Sequence, residues 1–153
     1  MSDLTDGELK IFIGAVTHYF EQLTREPATI RAAYLANGAS PHFDYTGLIT
    51  VSGRYRGCVY FSTSGDALRA LLAEFSEPDR QEENLLDAVG EIANTIAGNT
   101  RKHFGKDLEI SAPVTIRGVP EQIKSAVCAR PFAIQLAWSK HDAVVVVDLA
   151  LAG

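Results

Sequence analysis

Between Glu82 and Phe104 the chain reads EENLLDAVGEIANTIAGNTRKHF, and within it Asp87, Glu91 and Asn94 are polar groups spaced to act together. Steps of four and three residues put all three on one face of a helix, so that two acids and an amide stand on successive turns. Gly98 and Arg101 continue the stripe, and Gly90 lies on the same side. A carboxylate and a carboxamide about one turn apart can take a proton, pair with a cation or hold a water molecule. Each interior glycine costs about 1 kcal/mol against alanine, so Gly90 and Gly98, one turn either side of Asn94, read as space cleared for another molecule. The same spacing also fits a solvated helix face with incidental glycines, and spacing alone does not separate the two.

Other chemistries lack their residues. The chain has no glycine-rich phosphate loop ending in Lys-Ser/Thr, no H-E-x-x-H, and no ligand spacing among His18, His42, His103 and His141. Its serines lie in polar turns with no G-x-S-x-G around them. A self-contained metallohydrolase or NTPase is therefore disfavoured, and no metal site is expected. The net charge of −5 and pI near 5.3 argue against nucleic acid, whose phosphates call for a basic face.

The first residues, MSDLTDGELK, do not have the form of a signal peptide, and no apolar run approaches the roughly 20 residues of a spanning helix. The expectation is a cytoplasmic protein with no membrane partner. At 153 residues, 46% hydrophobic and 22% charged, the chain fits a single domain over 1–153. Cys58 and Cys128 sit far apart in apolar surroundings and read as small buried hydrophobes.

The elements that must position the stripe follow from periodicity. Thr5-Asp6-Gly7-Glu8 is a capping box that opens a helix with Leu9, Phe12, Ile13, Val16, Phe20 and Leu23 on its buried face, ended by Glu26-Pro27. His18 and Tyr19 read there as boundary packing. A strand from Thr29 to Leu35 precedes a hairpin of Phe43–Val51 and Tyr55–Ser62. Thr63 or Ser64 caps a second helix that buries Leu68, Leu71, Leu72 and Phe75, with Pro78 beyond it. The long helix buries Leu85, Leu86, Val89, Ile92, Ala93, Ile96, Ala97 and Phe104 and ends at Gly105, which places Arg101, Lys102 and His103 near the negative end of its dipole. Leu108–Ile116, Ala126–Trp138 and Ala143–Leu151 read as strands, with Arg130-Pro131 marking an edge or a bulge. The order α-β-β-β-α-α-β-β-β predicts an α+β fold, a mainly antiparallel sheet flanked by helices.

The pattern D-x-x-x-E-x-x-N at Asp87, Glu91 and Asn94, continued by Ile96-Ala97-Gly98-Asn99, resembles the CheC/CheX/FliY family of chemotaxis phosphatases. Agreement extends from Thr46-Gly47 through the hairpin and both helices to the strand-like Ser111-Ala112-Pro113, and the single copy is most similar to CheX. The resemblance implies an enzyme that hydrolyses the aspartyl phosphate of a CheY-like response regulator. It implies no cofactor on this chain, Mg²⁺ and a lysine on the partner, and a homodimer. Phosphoryl transfer passes through a loose transition state in which placing the attacking water matters greatly, and the Asn94 amide is suited to that task. Glu91 is implied to pair with the partner's lysine, although the residues equally permit a general base. Gly90 and Gly98 would let the partner approach, and Asp87 fills the first acidic position or simply favours the helix start. The alternative is a binding module that docks on a receiver or motor-switch protein without hydrolysis.

Overall fold

The computed structural model describes residues 4–24, 28–36, 41–74, 81–105, 108–118 and 131–151. The capping box closes as its residues require. Glu8 N–H donates to Thr5 Oγ1 at 3.1 Å, Thr5 N–H donates to Glu8 Oε1 at 3.0 Å, and helix α1 runs Asp6–Thr24. After β1 (Thr29–Leu35) come the hairpin arms β2 (Tyr45–Gly53) and β3 (Tyr55–Thr63). Ser64 then caps α2 (Gly65–Glu74), its hydroxyl accepting from Ala67 N–H at 3.1 Å. Helix α3 spans Glu82–Phe104, the expected bounds, and stops at Gly105, whose positive φ of 75° few other residues would tolerate. The expected stops at Glu26-Pro27 and Pro78, together with Phe75, lie outside the described residues, as does Cys128.

The strand expected over Leu108–Ile116 is two strands, β4 (Leu108–Ile110) and β5 (Val114–Arg117), so Ser111-Ala112-Pro113 is a break and not strand. Both pieces pair antiparallel with β2, but Val51 faces Ile110 whereas Leu48 faces Val114, a slip of one residue. Ser111 holds the ladder to the last moment, its N–H donating to Thr50 O and its hydroxyl accepting from Thr50 N–H, both at 3.0 Å. Pro113 has no N–H to donate, so the extra residue is accommodated there, on the outer strand, in the manner of a bulge.

Strands β6 (Phe132–Trp138) and β7 (His141–Leu151) complete an antiparallel sheet in the order β1-β6-β7-β3-β2-β4, with β5 also on β2. The described part of the expected Ala126–Trp138 strand begins after Pro131, in an inner strand. No edge lies there: Pro131 O accepts from Ala36 N–H at 2.8 Å, and the irregularity falls on β1, between Ile30 and Ala32.

The helices all pack on one face of this sheet. Phe12, Val16 and Phe20 of α1, Leu68 and Leu71 of α2, and Leu85, Val89, Ile92 and Ile96 of α3 join Ile49, Val59, Phe61, Val145 and Val147 in one core. Cys58, Tyr60, Val144 and Val146 point the other way into a smaller buried cluster with Leu48 and Ala133. The central strand β7 is thus apolar on both faces, as a strand covered on two sides must be. Among the described residues no helix is long and apolar enough to cross a membrane.

Two outcomes follow from this packing. A methyl group on Gly47 would sit almost on the Val89 carbonyl oxygen and 3.0 Å from Ala93 Cβ. Gly47→Ala is therefore expected to lose about 2 kcal/mol in urea unfolding, and an unchanged midpoint would mean that α3 lifts off the sheet freely. Burial alone would raise the Glu8 pKa. The hydrogen bonds from the Thr5 backbone, the Tyr55 hydroxyl and the Thr5 side chain, with the charge of Arg54, outweigh it and hold the carboxyl below 4.5. A depressed carboxylate stabilises the fold above its unfolded pKa and loses that effect as pH falls through the folded value. Glu8→Gln should be slightly less stable than wild type at pH 7, because solvent screens much of the charge effect at this partly exposed carboxylate, with the gap narrowing as pH falls through the depressed folded value; a gap constant down to pH 3 would contradict this.

Candidate functional site

Helix α3 is pressed onto the sheet by the absence of two side chains. Gly47 in β2 lets the Val89 turn come down on the strand backbone. Gly90 lets the helix flank meet β5, where a methyl group would stand 2.7 Å from Thr115 Cγ2 and 3.5 Å from Pro113 Cβ. Gly90 is accordingly buried, and its open side is filled by this chain's own strand. It lies a step round the helix from the stripe, turned toward the sheet edge, so the room it makes is not room for a partner. Gly98 differs: it is half-exposed, with nothing within 4 Å of the position a methyl group would take.

Both ends of α3 are tied down. Glu82 forms an ion pair with Arg117 of β5 and accepts from the Tyr45 hydroxyl at 3.2 Å, while the Arg117 guanidinium lies over the Tyr45 ring. At the far end Arg101 Nε donates to Leu108 O at 2.9 Å, and Phe104 packs against Phe12 and Tyr55 with ring centroids 5.8 Å apart in each case. Arg101 thus has the structural role its place near the helix end suggested.

On this held helix Asp87, Glu91 and Asn94 are all exposed. Among the described residues no hydrogen bond or ion pair engages their side-chain groups; beyond the helix's own backbone bonds, the Glu91 carbonyl accepts from Thr95 Oγ1 at 2.9 Å. The structure therefore brings the three together on one outward face, with a free amide one turn beyond a free carboxylate. Such a pair can bind a cation and orient a small polar molecule at the same moment. Among the described residues no group of three or more His, Cys, Asp or Glu side chains could hold a metal ion.

Beside the stripe lies a groove of about 350 Å³ between α1, α2 and α3, lined by Tyr19, Leu72, Asn84, Asp87, Ala88, Glu91 and Ile92. Tyr19 is half-buried, and burial followed by the negative charge of Glu91 pushes its pKa well above the usual 10.0, so the phenol stays neutral. Periodicity assigned Tyr19 to packing only. Its nearness to Glu91 is a contact between helices more than 60 residues apart in sequence, and no local pattern carries such information.

The fold matches solved structures at low identity. CheX from Vibrio vulnificus is similar with a TM-score of 0.77 and 18% identity, covering 94% of this chain and 99% of that one. A CheC-like superfamily protein from Shewanella sp. PV-4 gives 0.80 and 13%, covering 96% and 99%. The CheX–CheY–BeF₃–Mg²⁺ complex from Borrelia burgdorferi gives 0.74 and 16%, covering 93% and 97%. No curated protein matches in sequence. The sequence profile of "Chemotaxis phosphatase CheX" matches residues 45–137, from β2 through the polar stripe of α3 to β6, and the chain belongs to that family.

Proposed function

We propose that this chain hydrolyses the aspartyl phosphate of a CheY-like receiver domain. The observation that carries the reading is that Glu91 and Asn94 stand outward from a tethered helix, their side chains in no hydrogen bond or ion pair among the described residues. A CheX relative from Borrelia burgdorferi forms a complex with CheY, which supports the choice of partner.

The acyl phosphate arrives already activated on the receiver, beside the Mg²⁺ and lysine expected there. What this chain adds is placement. The Asn94 side-chain oxygen accepts a hydrogen bond from a water molecule and fixes it in line with the bond to be broken. The water oxygen forms the new bond to phosphorus, the bond from phosphorus to the receiver's aspartate breaks, and its carboxylate leaves with the electron pair. The water's proton passes to the departing phosphate or to solvent. Glu91 pairs with the receiver's lysine and sets the docking register; a general-base role for the same carboxylate, taking the proton in place of phosphate or solvent, is the alternative its chemistry permits. Asp87 lies on the partner-facing surface one turn earlier. Gly98 leaves the helix backbone open to the partner, whereas Gly90 helps by seating α3. The same reading makes the chain a cytoplasmic single domain that works as a homodimer.

The test is dephosphorylation of an acetyl-phosphate-loaded receiver followed with and without this protein. Asn94→Ala should lose about 100-fold in turnover while binding of the beryllofluoride-loaded receiver survives. Were the wild type to give no acceleration on a receiver it binds, a docking module without hydrolysis would replace this reading. Gly98→Ala separates fold from function in the opposite sense. It should gain up to about 1 kcal/mol in stability yet raise KM for the phosphorylated receiver several-fold; an unchanged KM would remove Gly98 from the contact.

A further inference from the structure

The groove between α1, α2 and α3 adjoins the stripe but is not needed to place a water molecule, because Asn94 does not line it. Its floor is apolar, made by Leu72, Ala88 and Ile92, and the Tyr19 ring forms one wall. Its rim carries Asp87 and Glu91, two exposed carboxylates without an ion pair among the described residues. A purely apolar group seated here would strip water from those acids and return nothing. An anionic group would be repelled. A long side chain with an aliphatic stem and a positive end suits the apolar floor and the acidic rim together, since lysine and arginine bury their stems while keeping the charged head at a polar rim.

We propose that this groove receives a lysine or arginine from the receiver's surface, with its stem on Leu72, Ala88 and Ile92 and its charged end at Asp87. This cation is additional to the lysine paired with Glu91, and the assignment rests on a receiver being the partner. Asp87 lies seven residues before Asn94, about 10 Å along the helix axis, so the two contacts engage different parts of the receiver's surface. Tyr19 adds an aromatic face against which the cation can lie, and its neutral phenol contributes no competing charge. Two anchors at different points of one helix fix the rotation of the receiver about the phosphoryl group, which a single ion pair leaves free. Asp87 is thereby a specificity determinant: receivers lacking the matching cation are bound loosely.

The experiment measures Kd for the Mg²⁺- and beryllofluoride-loaded receiver, with KM and kcat on its phosphorylated form, for wild type, Asp87→Asn and Asp87→Lys. Asp87 is exposed, so neither variant should disturb folding, and urea unfolding checks this. Asp87→Asn should raise Kd and KM together by about 5- to 10-fold with a much smaller change in kcat. Asp87→Lys should weaken binding further, and reversing one lysine or arginine of the receiver to glutamate should restore it. Kd within twofold of wild type for Asp87→Asn, or no rescuing charge reversal on the receiver, overturns the assignment. Asn94→Ala separates the two readings. If it leaves turnover intact the hydrolytic mechanism fails while the Asp87 result still decides the groove, and a wild type that binds no receiver overturns both.

Discussion

The contact between the bare backbone of Gly47 and the Val89 turn of α3 decides how high this helix rides above the sheet. Any side chain at position 47 would wedge the helix outward, because its first carbon would collide with a carbonyl oxygen that cannot move without breaking the helix. Gly90 does the same work from the helix side, against Thr115 and Pro113. With the gap closed on two flanks, Leu85, Val89, Ile92 and Ile96 are driven fully into the core. The residues half a turn away are turned outward to solvent and to the groove beside α1 and α2. The exposure of Asp87, Glu91 and Asn94 is thus a consequence of how tightly the opposite face is seated.

That seating explains which parts of the site were legible in the chain. The bounds of α3 follow from signals that act within a few residues: the apolar period, the polar stripe and a glycine that can take a positive φ at its end. The capping box at Thr5 and Glu8 is equally local and forms as written. Long-range facts were not legible. Gly90 and Gly98 are the same residue on the same helix, yet one is packed against Thr115 and Pro113 and the other has open space beside it, a difference that depends on where the outer strand runs. The split between β4 and β5 has the same character, because Leu108–Ile116 has strand composition throughout and the slip depends on where β2 offers its hydrogen bonds. Tyr19 joins the groove through a helix pairing that its own surroundings in sequence do not announce.

The ties at the two ends of α3 are unequal in kind. At the start an exposed ion pair with Arg117 works together with a hydroxyl and an aromatic ring, a set worth more than the isolated pair, which in open solvent contributes roughly 0–1 kcal/mol. At the end the helix is held by Phe104 between two aromatic rings and by Arg101 reaching the first residue of β4. Charge rises along the helix from acids at the start to Arg101, Lys102 and His103 at the close, complementing its dipole. A partner approaching the exposed face therefore meets a negative end and a positive end with the amide between them. Such a surface has a direction, which a uniformly charged face would lack.

A chain with no phosphate-loop motif in its sequence and no metal cluster among its described residues can still belong to a phosphatase family if the difficult chemistry resides in what it binds. An acyl phosphate needs a water held in line more than it needs a stronger nucleophile, and an amide positions water without adding a charge that would repel the phosphoryl oxygens. The demand then shifts from reactivity to rigidity, since a misplacement of about 1 Å can cost on the order of 100-fold in rate. A loop would meet that demand poorly. A helix clamped by two glycine contacts, an ion pair and an aromatic lock meets it well, and that rigidity is set by residues, such as Gly47, that lie beneath α3 and not on its exposed face.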